Sequence, residues 1–444
     1  MSLSPSDLES LAEKILGLVT ADDAELNLAS SSNLVLRSAN NDITTNGLVQ
    51  GTTVALTVSY GKRSASISIN RTDDEGLREA VKKVETMARL APEDPEHVPP
   101  VGPADHATPP TWSDATAALD PREALARVRP VIESARRAGV ESAGYLMRSV
   151  AASTYANSRG VLLPHRATTL GFSLTARTTE GRGSGWASTQ ATELSDFHLD
   201  PVGERAIGKA LASRSAAARP AGRTTVVLEA AAARDLLGLL VWGLDRRDFD
   251  EGRSFLNGLV PEGEEAVGRS LFGDQATLIS DPMDPGVPCQ SHQSGQPRPR
   301  TTWIEKGVLK ALPVSRYWAG KRGLPQQPWP GNLIFPGEGK SLDELIAGVE
   351  DGVLVTRFWY LRLVSPESLL YTGLTRDGTF AIRDGKVAGP VNNFRFNESP
   401  ANVLKNLVAS GAPERVLGSE GGLPTLAPPL VVRDFNLSSV SDAS

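Results

Sequence analysis

Near the start of the chain, a long β-rich block is flanked by two amphipathic helices. This block restricts the possible folds more than any other feature of the sequence. Residues 24–70 are rich in β-branched residues in short alternations, as in half-buried strands. The preceding helix has capping-box spacing at Ser6 and Glu9. Its apolar stripe consists of Leu8, Leu11, Ile15 and Leu16. Residues 73–90 predict a second helix with acids in its first turn. We therefore expect an N-terminal α+β domain of helix, strands and helix over residues 1–110.

A proline-rich stretch, Ala91–Trp112, follows this block and predicts a linker or a loop held against the surface. The next predicted helix contains Pro130, which we expect to kink it because proline removes a backbone hydrogen bond. Strands are then predicted at Glu141–Arg148, Ala151–Asn157 and Thr168–Thr178. These elements indicate a mixed α/β segment over residues 111–220, which ends near the polar RPAGR at Arg219–Arg223.

Residues 221–444 predict a strand-rich C-terminal domain. TTVVL reads as a buried strand, and the helix after it is apolar nearly all round at Leu236–Leu244, so other elements should enclose it. Asp384 and Gly385 join two alternating strands, a combination typical of a β-hairpin. The predicted fold class is α+β, with a helix–strands–helix domain, a mixed middle segment and a strand-rich C-terminal domain.

Composition excludes several classes of protein. The 444 residues are 40% hydrophobic and 22% charged, an ordinary globular mixture. The formal net charge is -6 and no Lys/Arg run is present, which argues against a nucleic-acid partner. A single cysteine excludes an internal disulfide framework. Acidic residues interrupt the N-terminal helix, so it is not a signal peptide, and no stretch approaches the ~20 apolar residues of a membrane span. We expect a cytoplasmic protein that contacts no membrane.

The only cysteine, Cys289, lies three residues before His292, and a Cys-x-x-His pair is half of a zinc site. The other half is not evident, because no two of the five histidines are closer than nine residues and no HExxH or HExxxH occurs. Two interpretations of the pair remain, a weak candidate for a metal site or a surface loop that carries both residues by chance. A Cys–His nucleophile is also conceivable, although such dyads form through the fold rather than through sequence proximity.

An acidic run, DRRDFDEGRS, clusters Asp245, Asp248, Asp250 and Glu251. Carboxylates in such numbers can bind a hard cation or catalyse hydrolysis, but the run lacks the alternating spacing of a calcium loop. The competing interpretation is a solvated helix end that pairs with its own arginines. No G-x-S-x-G serine nucleophile motif is present, and the glycine-rich GRGSGWAS lacks the P-loop lysine.

Three motifs follow one another in the second half of the chain: EGRSFLNGL, the IEKGVL hairpin at Ile304–Leu309, and YTGLTRDGTFAIRDGKVAGPV near the C-terminus. In this order they resemble the TldD/PmbA family of metalloproteases, also known as modulators of DNA gyrase. The N-terminal helix, strands and helix are also similar to the family's first domain, so the resemblance covers nearly the whole chain. It implies a TldD-type subunit with HExxxH on a helix and a third ligand from the C-terminal domain, and a PmbA/TldE-type subunit that lacks them.

In this chain the corresponding helix is RDLLGLLVWGLD, and the window for the histidine pair, about Gly238–Trp242, contains no side chain that can bind zinc. The stretch LLYTGLTRDG likewise offers no cysteine or histidine. The resemblance therefore implies a PmbA/TldE-type chain with no catalytic residue and no cofactor of its own, and zinc is expected in a TldD-like partner.

The function implied is that of a non-catalytic subunit of a TldD/TldE-like zinc metalloprotease complex that acts on extended or unfolded peptides. Candidate segments for contact with the partner or the peptide are Ile304–Leu309 and Thr379–Val391. Three alternatives stay open. The first is a self-contained peptidase that uses Cys289, His292 and distant carboxylates. The second is a homo-oligomer that binds peptides or a protein partner. The third is a regulator of DNA topology, which the acidic charge balance disfavours as a direct DNA binder.

Overall fold

A computed structural model describes residues 3–419 and 421–441 and confirms the α+β class. The helices in the first half are α1 Pro5–Leu16, α2 Asp74–Leu90, α3 Asp114–Ala118, α4 Pro121–Arg137 and α5 Asp200–Ala212. The strands are β1 Asp23–Ala39, β2 Asp42–Tyr60, β3 Arg63–Ile69, β4 Val140–Asn157, β5 Leu162–Thr178 and β6 Ser184–Ala191.

These strands form one antiparallel sheet in the order β3-β2-β1-β4-β5-β6. The long strand β1 pairs with β2 along its whole length and with β4 from Glu25 to Ser38. The sheet is therefore continuous across residue 110, and the predicted first domain and middle segment share it. Ala91–Trp112 has no regular secondary structure, as expected of a linker or surface loop.

Four helices lie on one face of this sheet because alternate residues of its strands are apolar. Leu26 and Leu28 of β1 pack with α1 and α2, whereas Leu34 and Leu36, further along the same face, pack with α4 and α5. Each of these leucines is at most 1% exposed. The long strands thus carry two hydrophobic cores side by side.

Local details differ from the sequence predictions in two places. Helix α1 begins two residues earlier than expected, since Ser4 is the N-cap and forms the capping box with Asp7 rather than Ser6 with Glu9. The strands predicted at Glu141–Arg148 and Ala151–Asn157 are one strand, β4, because both of its edges are paired through Val150. Helix α4 runs through Pro130 without a break.

The second half begins with β7 Gly222–Leu228 and the helix α6 Ala230–Trp242, as predicted. Its other helices are α7 Arg246–Asp250, α8 Arg316–Arg322, α9 Leu342–Ala347 and α10 Pro400–Lys405. The strands that follow β7 are β8 Leu278–Ser280, β9 His292–Gln293, β10 Gln296–Pro297, β11 Thr301–Glu305, β12 Val308–Leu309, β13 Leu333–Ile334, β14 Asp351–Ser365, β15 Leu370–Arg383, β16 Lys386–Pro390, β17 Asn393–Glu398, β18 Leu407–Ser410, β19 Glu414–Arg415, β20 Thr425–Ala427, β21 Leu430–Leu437 and β22 Ser439–Ser441.

Two sheets enclose α6. The larger has the order β18-β21-β7-β14-β15-β17-β22, and the smaller has the order β12-β11-β8-β13-β20-β19. Strand β7 is buried on both faces, since Val226 and Leu228 join the core around α6 while Val227 packs with α9 on the opposite face. The apolar run TTVVL is therefore explained by a central strand.

Buried charges join the two halves of the chain. Lys209 of α5 donates to Glu229, the N-cap residue of α6, at 2.6 Å, and both side chains are nearly inaccessible. Ser184 of β6 donates to Asp377 of β15, which also pairs with Arg357 of β14. Within the part of the chain that the structure describes, no helix has both the length and the apolar character needed to cross a bilayer.

Candidate functional site

One face of α6 lines a cavity at the position where the family resemblance implies metal ligands. Leu236, Leu237 and Leu240 point into the core. The opposite face presents Asp235, Gly238, Leu239 and Trp242, which the 3.6-residue repeat aligns along the helix. This face of α6, together with Leu361 and residues 421–425, encloses a cavity of about 150 Å³.

A loop that follows β19 covers this face and holds its charged residues. Both carboxylate oxygens of Asp235 accept from the backbone N–H of Ser419 at 3.1 Å. Arg234 donates to the carbonyls of Gly421 at 2.9 Å and Leu423 at 3.2 Å, and it lies 3.5 Å from Asp235. Burial raises the pKa of Asp235 to about 6, against the opposing effect of the Ser419 N–H.

The residues on this face do not fit a zinc ion. Zinc in proteins takes cysteine, histidine or carboxylate ligands, usually three or four of them. Asp235 is the acidic side chain on this face, and its oxygens are already bonded to Ser419. Across residues 3–419 and 421–441, no three His, Cys, Asp or Glu side chains are grouped in a way that could hold a metal ion.

Cys289 lies in a loop as expected, but the loop is not at the surface, because the residue is only 8% exposed. Its Sγ contacts the Gln290 carbonyl at 3.8 Å and packs so closely on Gly331 that a Cβ there would lie 2.5 Å from the sulfur. Burial raises the pKa of the thiol to about 12. A nucleophilic or zinc-binding cysteine requires a lowered pKa, so this thiol is placed to be inert.

His292 belongs to a different environment from Cys289. Its Nε2 is 2.9 Å from the Gln290 side-chain amide, and its Nδ1 accepts from the Gly295 N–H at 3.4 Å. Burial, with the nearby His106, lowers its pKa to about 4. The described hydrogen bonds therefore do not couple the two residues as a catalytic dyad.

The acidic run after α6 is a structural helix end. Asp245 caps α7 by accepting from the Asp248 N–H at 2.9 Å. Asp250 accepts from Arg246 at 2.9 Å and from the Trp318 indole at 2.7 Å. Asp248 and Glu251 pair with neighbouring arginines in the same way. Asp248, Asp250 and Glu251 thus pair with neighbouring arginines, as the second interpretation of the sequence held.

The two candidate contact segments are only partly accessible. In Ile304–Leu309 both terminal residues are fully buried, and only the turn at Glu305 and Lys306 and the half-buried Val308 offer side chains to a partner. In Thr379–Val391 the accessible parts are the turn at Arg383 and Asp384 and the hairpin strand β16, where Val387 is 47% exposed. Both segments form the hairpins that the sequence predicted.

A third surface was missed by sequence reasoning. Four apolar residues of β14 are exposed by 38–55%, and we call them the β14 surface: Trp359, Tyr360, Leu363 and Val364. Strand β14 pairs with β7 from Gly352 to Val355, and the β14 surface lies beyond that stretch. The neighbouring Trp242 is 59% exposed and borders the α6 cavity beside Leu361. The nearly unbroken apolar run FWYLRLV could have indicated this surface, but it reads equally well as a core strand.

Sequence profiles of one family match most of the chain. Its domain 1 matches residues 24–88, its central domain residues 114–214, and its C-terminal domain residues 221–439, each described as PmbA/TldA metallopeptidase. The chain belongs to the PmbA/TldD metallopeptidase family. A curated relative from Methanothermobacter thermautotrophicus, named a metalloprotease, is 26% identical over 289 residues, which are 60% of this chain and 61% of the relative. The chain thus spans about three-fifths of the length of that relative.

Solved structures share the PmbA/TldD fold over nearly the full chain. A candidate modulator of DNA gyrase from Bacteroides thetaiotaomicron is 21% identical with a TM-score of 0.83, and the match covers 97% of this chain and 99% of that one. TldE from Thermococcus kodakarensis is 16% identical with a TM-score of 0.83, and the match covers 98% of this chain and 99% of that one. At these identities the likeness shows the fold alone.

Proposed function

We propose that this chain is the non-catalytic subunit of a two-chain metallopeptidase, and that it pairs with a TldD-like subunit that holds the zinc. The observation that carries the proposal is the α6 face, where a family member with HExxxH would present its ligands and this chain presents Gly238, Leu239 and Trp242. The match to TldE supports the same assignment at the level of fold. The substrate class proposed is the extended or unfolded peptide.

A subunit without ligands can contribute walls and docking surfaces to a shared cleft. Exposed apolar side chains that lie together commonly mark a protein interface, and an unpaired strand edge can bind an extended chain through main-chain hydrogen bonds. The β14 surface offers exposed apolar side chains beside the α6 cavity. Main-chain bonding is nearly independent of side chains, which suits a peptidase of loose sequence preference.

The proposal is tested by reconstitution with a TldD-like subunit that carries HExxxH. We expect the mixture to form a hetero-oligomer that degrades an unfolded protein such as reduced casein, with metal analysis finding zinc in the partner. Replacing the glutamate of the partner's HExxxH by glutamine should abolish activity. One tightly held zinc per chain in this protein alone, or full proteolysis without the partner, would overturn the assignment.

The docking surface is tested with matched charge substitutions. Leu363→Asp on the β14 surface should prevent hetero-oligomer formation, because it places a carboxylate in an apolar interface. Val440→Asp is the control, since Val440 is 50% exposed and Leu363 48% exposed but Val440 lies on β22. Val387→Asp and Val308→Asp test the two hairpins in the same assay. Circular dichroism of each variant separates lost docking from lost folding. Complexes that survive Leu363→Asp would remove the β14 surface from the interface.

A further inference from the structure

His106, His165 and His292 are three of the five histidines in the sequence, and they line a single cavity of about 620 Å³. We call it the histidine cavity. Four separate parts of the chain form it, namely α1, the loop 106–112, the beginning of β5, and the loop that precedes β9. Its volume falls within the ~300–1,000 Å³ range of small-molecule sites. It is distinct from the α6 cavity, whose lining residues it does not share.

His106 is the polar group that the surrounding protein leaves unbonded. Both of its ring nitrogens are buried, and neither has a hydrogen-bond partner among the described residues. The ring stands edge-on to His292, with centroids 5.8 Å apart and planes at 78°. Burial lowers the pKa of His106 and of His165, which favours the neutral form of each ring.

Two opposite charges also line the cavity. Glu9 of α1 and Arg166 of β5 both face it, and neither takes part in an ion pair described for residues 3–419 and 421–441. The Arg166 guanidinium lies over the Trp112 ring, 4.6 Å from its centre, and a guanidinium has the planar N–H geometry that matches a carboxylate. Between these charges the walls include prolines, which have no backbone N–H: Pro5, Pro109, Pro110 and Pro164.

We propose that the histidine cavity binds a short peptide with free ends, of two or three residues. Arg166 bonds the terminal carboxylate and Glu9 the terminal ammonium, while Trp112 and the prolines contact a side chain. A charged acid and a charged base on one cavity select a zwitterion, and a cavity of about 620 Å³ has room for more than one residue. The inference rests on the proposed function only for the origin of such peptides, which are products of proteolysis.

The first test is calorimetric titration of the full purified chain with the dipeptide Ala-Phe and two blocked forms. We expect the free dipeptide to bind at least tenfold more tightly than its N-acetyl form and its C-terminal amide, since each block removes one charge. Equal affinity for all three forms, or no binding of the free dipeptide at millimolar concentration, would overturn the proposal. This titration requires no partner and no zinc, so its failure is separable from failure of the reconstitution.

The second test assigns each end of the peptide to a residue. Arg166→Gln should erase the preference for the free carboxylate, and Glu9→Gln the preference for the free amine. The matched controls are Arg177→Gln on the same strand and Glu13→Gln on the same helix, both exposed and outside the cavity. His106→Phe keeps a ring but removes both nitrogens, and because these nitrogens are inaccessible it should leave both preferences unchanged. Thermal unfolding of each variant checks the fold, and unchanged preferences in folded Arg166→Gln and Glu9→Gln would refute the assignment.

Discussion

Asp235 is a buried acid whose charge the fold disfavours, and this makes stability depend on pH. Its pKa is raised from 3.8 to about 6 by burial, so between these values the folded chain binds a proton that the unfolded chain releases. The stabilising contribution is complete below pH 3.8 and is lost as the pH rises through 6. The full difference is roughly 3 kcal/mol, at ~1.4 kcal/mol for each pKa unit.

We expect Asp235→Asn to abolish this dependence, because an amide oxygen can still accept from Ser419 without carrying charge. Urea unfolding at pH 4.5 and pH 7 should show the unsubstituted chain losing stability relative to the variant as the pH rises. The other titrating groups contribute equally to the unfolding free energy of both chains, so their contributions cancel in that comparison. An equal difference in unfolding free energy at both pH values would contradict the prediction.

Cys289 illustrates how burial removes reactivity. With a thiol pKa of about 12 and little exposure, we expect iodoacetamide at pH 8 to leave Cys289 unmodified in the folded chain and to alkylate it in urea. Mass spectrometry of the intact chain measures both states. We also expect Cys289→Ala to lower the unfolding free energy by about 1 kcal/mol, more than a surface substitution would. Rapid alkylation under native conditions would contradict the burial of the thiol.

Helix α6 and the loop that covers it respond oppositely to an added methyl group. A Cβ at Gly238 would have no heavy atom within 4 Å, so Gly238→Ala should stabilise the chain by about 1 kcal/mol through helix propensity. A Cβ at Gly418 would lie 1.9 Å from Arg234 Nη1 and 2.1 Å from Asp235 Oδ1. Gly418→Ala should therefore displace the loop and destabilise the chain by about 2 kcal/mol. Thermal unfolding measures both, and changes of the same sign would count against this account of the loop.

The buried ion pair between Lys209 and Glu229 couples the two halves of the molecule. Removing one partner leaves the other charge buried, so Lys209→Met and Glu229→Gln should each cost about 3 kcal/mol. The double variant should cost clearly less than their sum. Because the pair joins α5 to α6, we expect circular dichroism and tryptophan fluorescence to report one common urea transition for the unsubstituted chain. Additive losses, or two separate transitions, would show that the halves are not coupled there.

Much of the fold was predictable where a local pattern determines the outcome. β7 and α6 follow from an apolar run that only a central strand and an enclosed helix can bury, and the Asp384-Gly385 turn follows from its dipeptide. The burial of Cys289 and the meeting of His106 with His292 depend on contacts between residues far apart in the chain. No periodicity encodes such contacts. The β14 surface was hidden for a related reason, since an apolar strand reads the same whether it is covered or exposed.

The central position of β7 in its sheet has a consequence for biosynthesis. Its neighbours are β14 and β21, and β21 ends at Leu437, more than 200 residues after β7 begins at Gly222. At the ~5–20 residues per second of translation, β7 waits roughly 10 to 40 s on the ribosome for its second neighbour. The antiparallel sheet of the first half is by then fully synthesised. The second half must therefore fold after its last strands have left the ribosome. Between the synthesis of β7 and that of β21, TTVVL and the apolar α6 segment are exposed to chaperones.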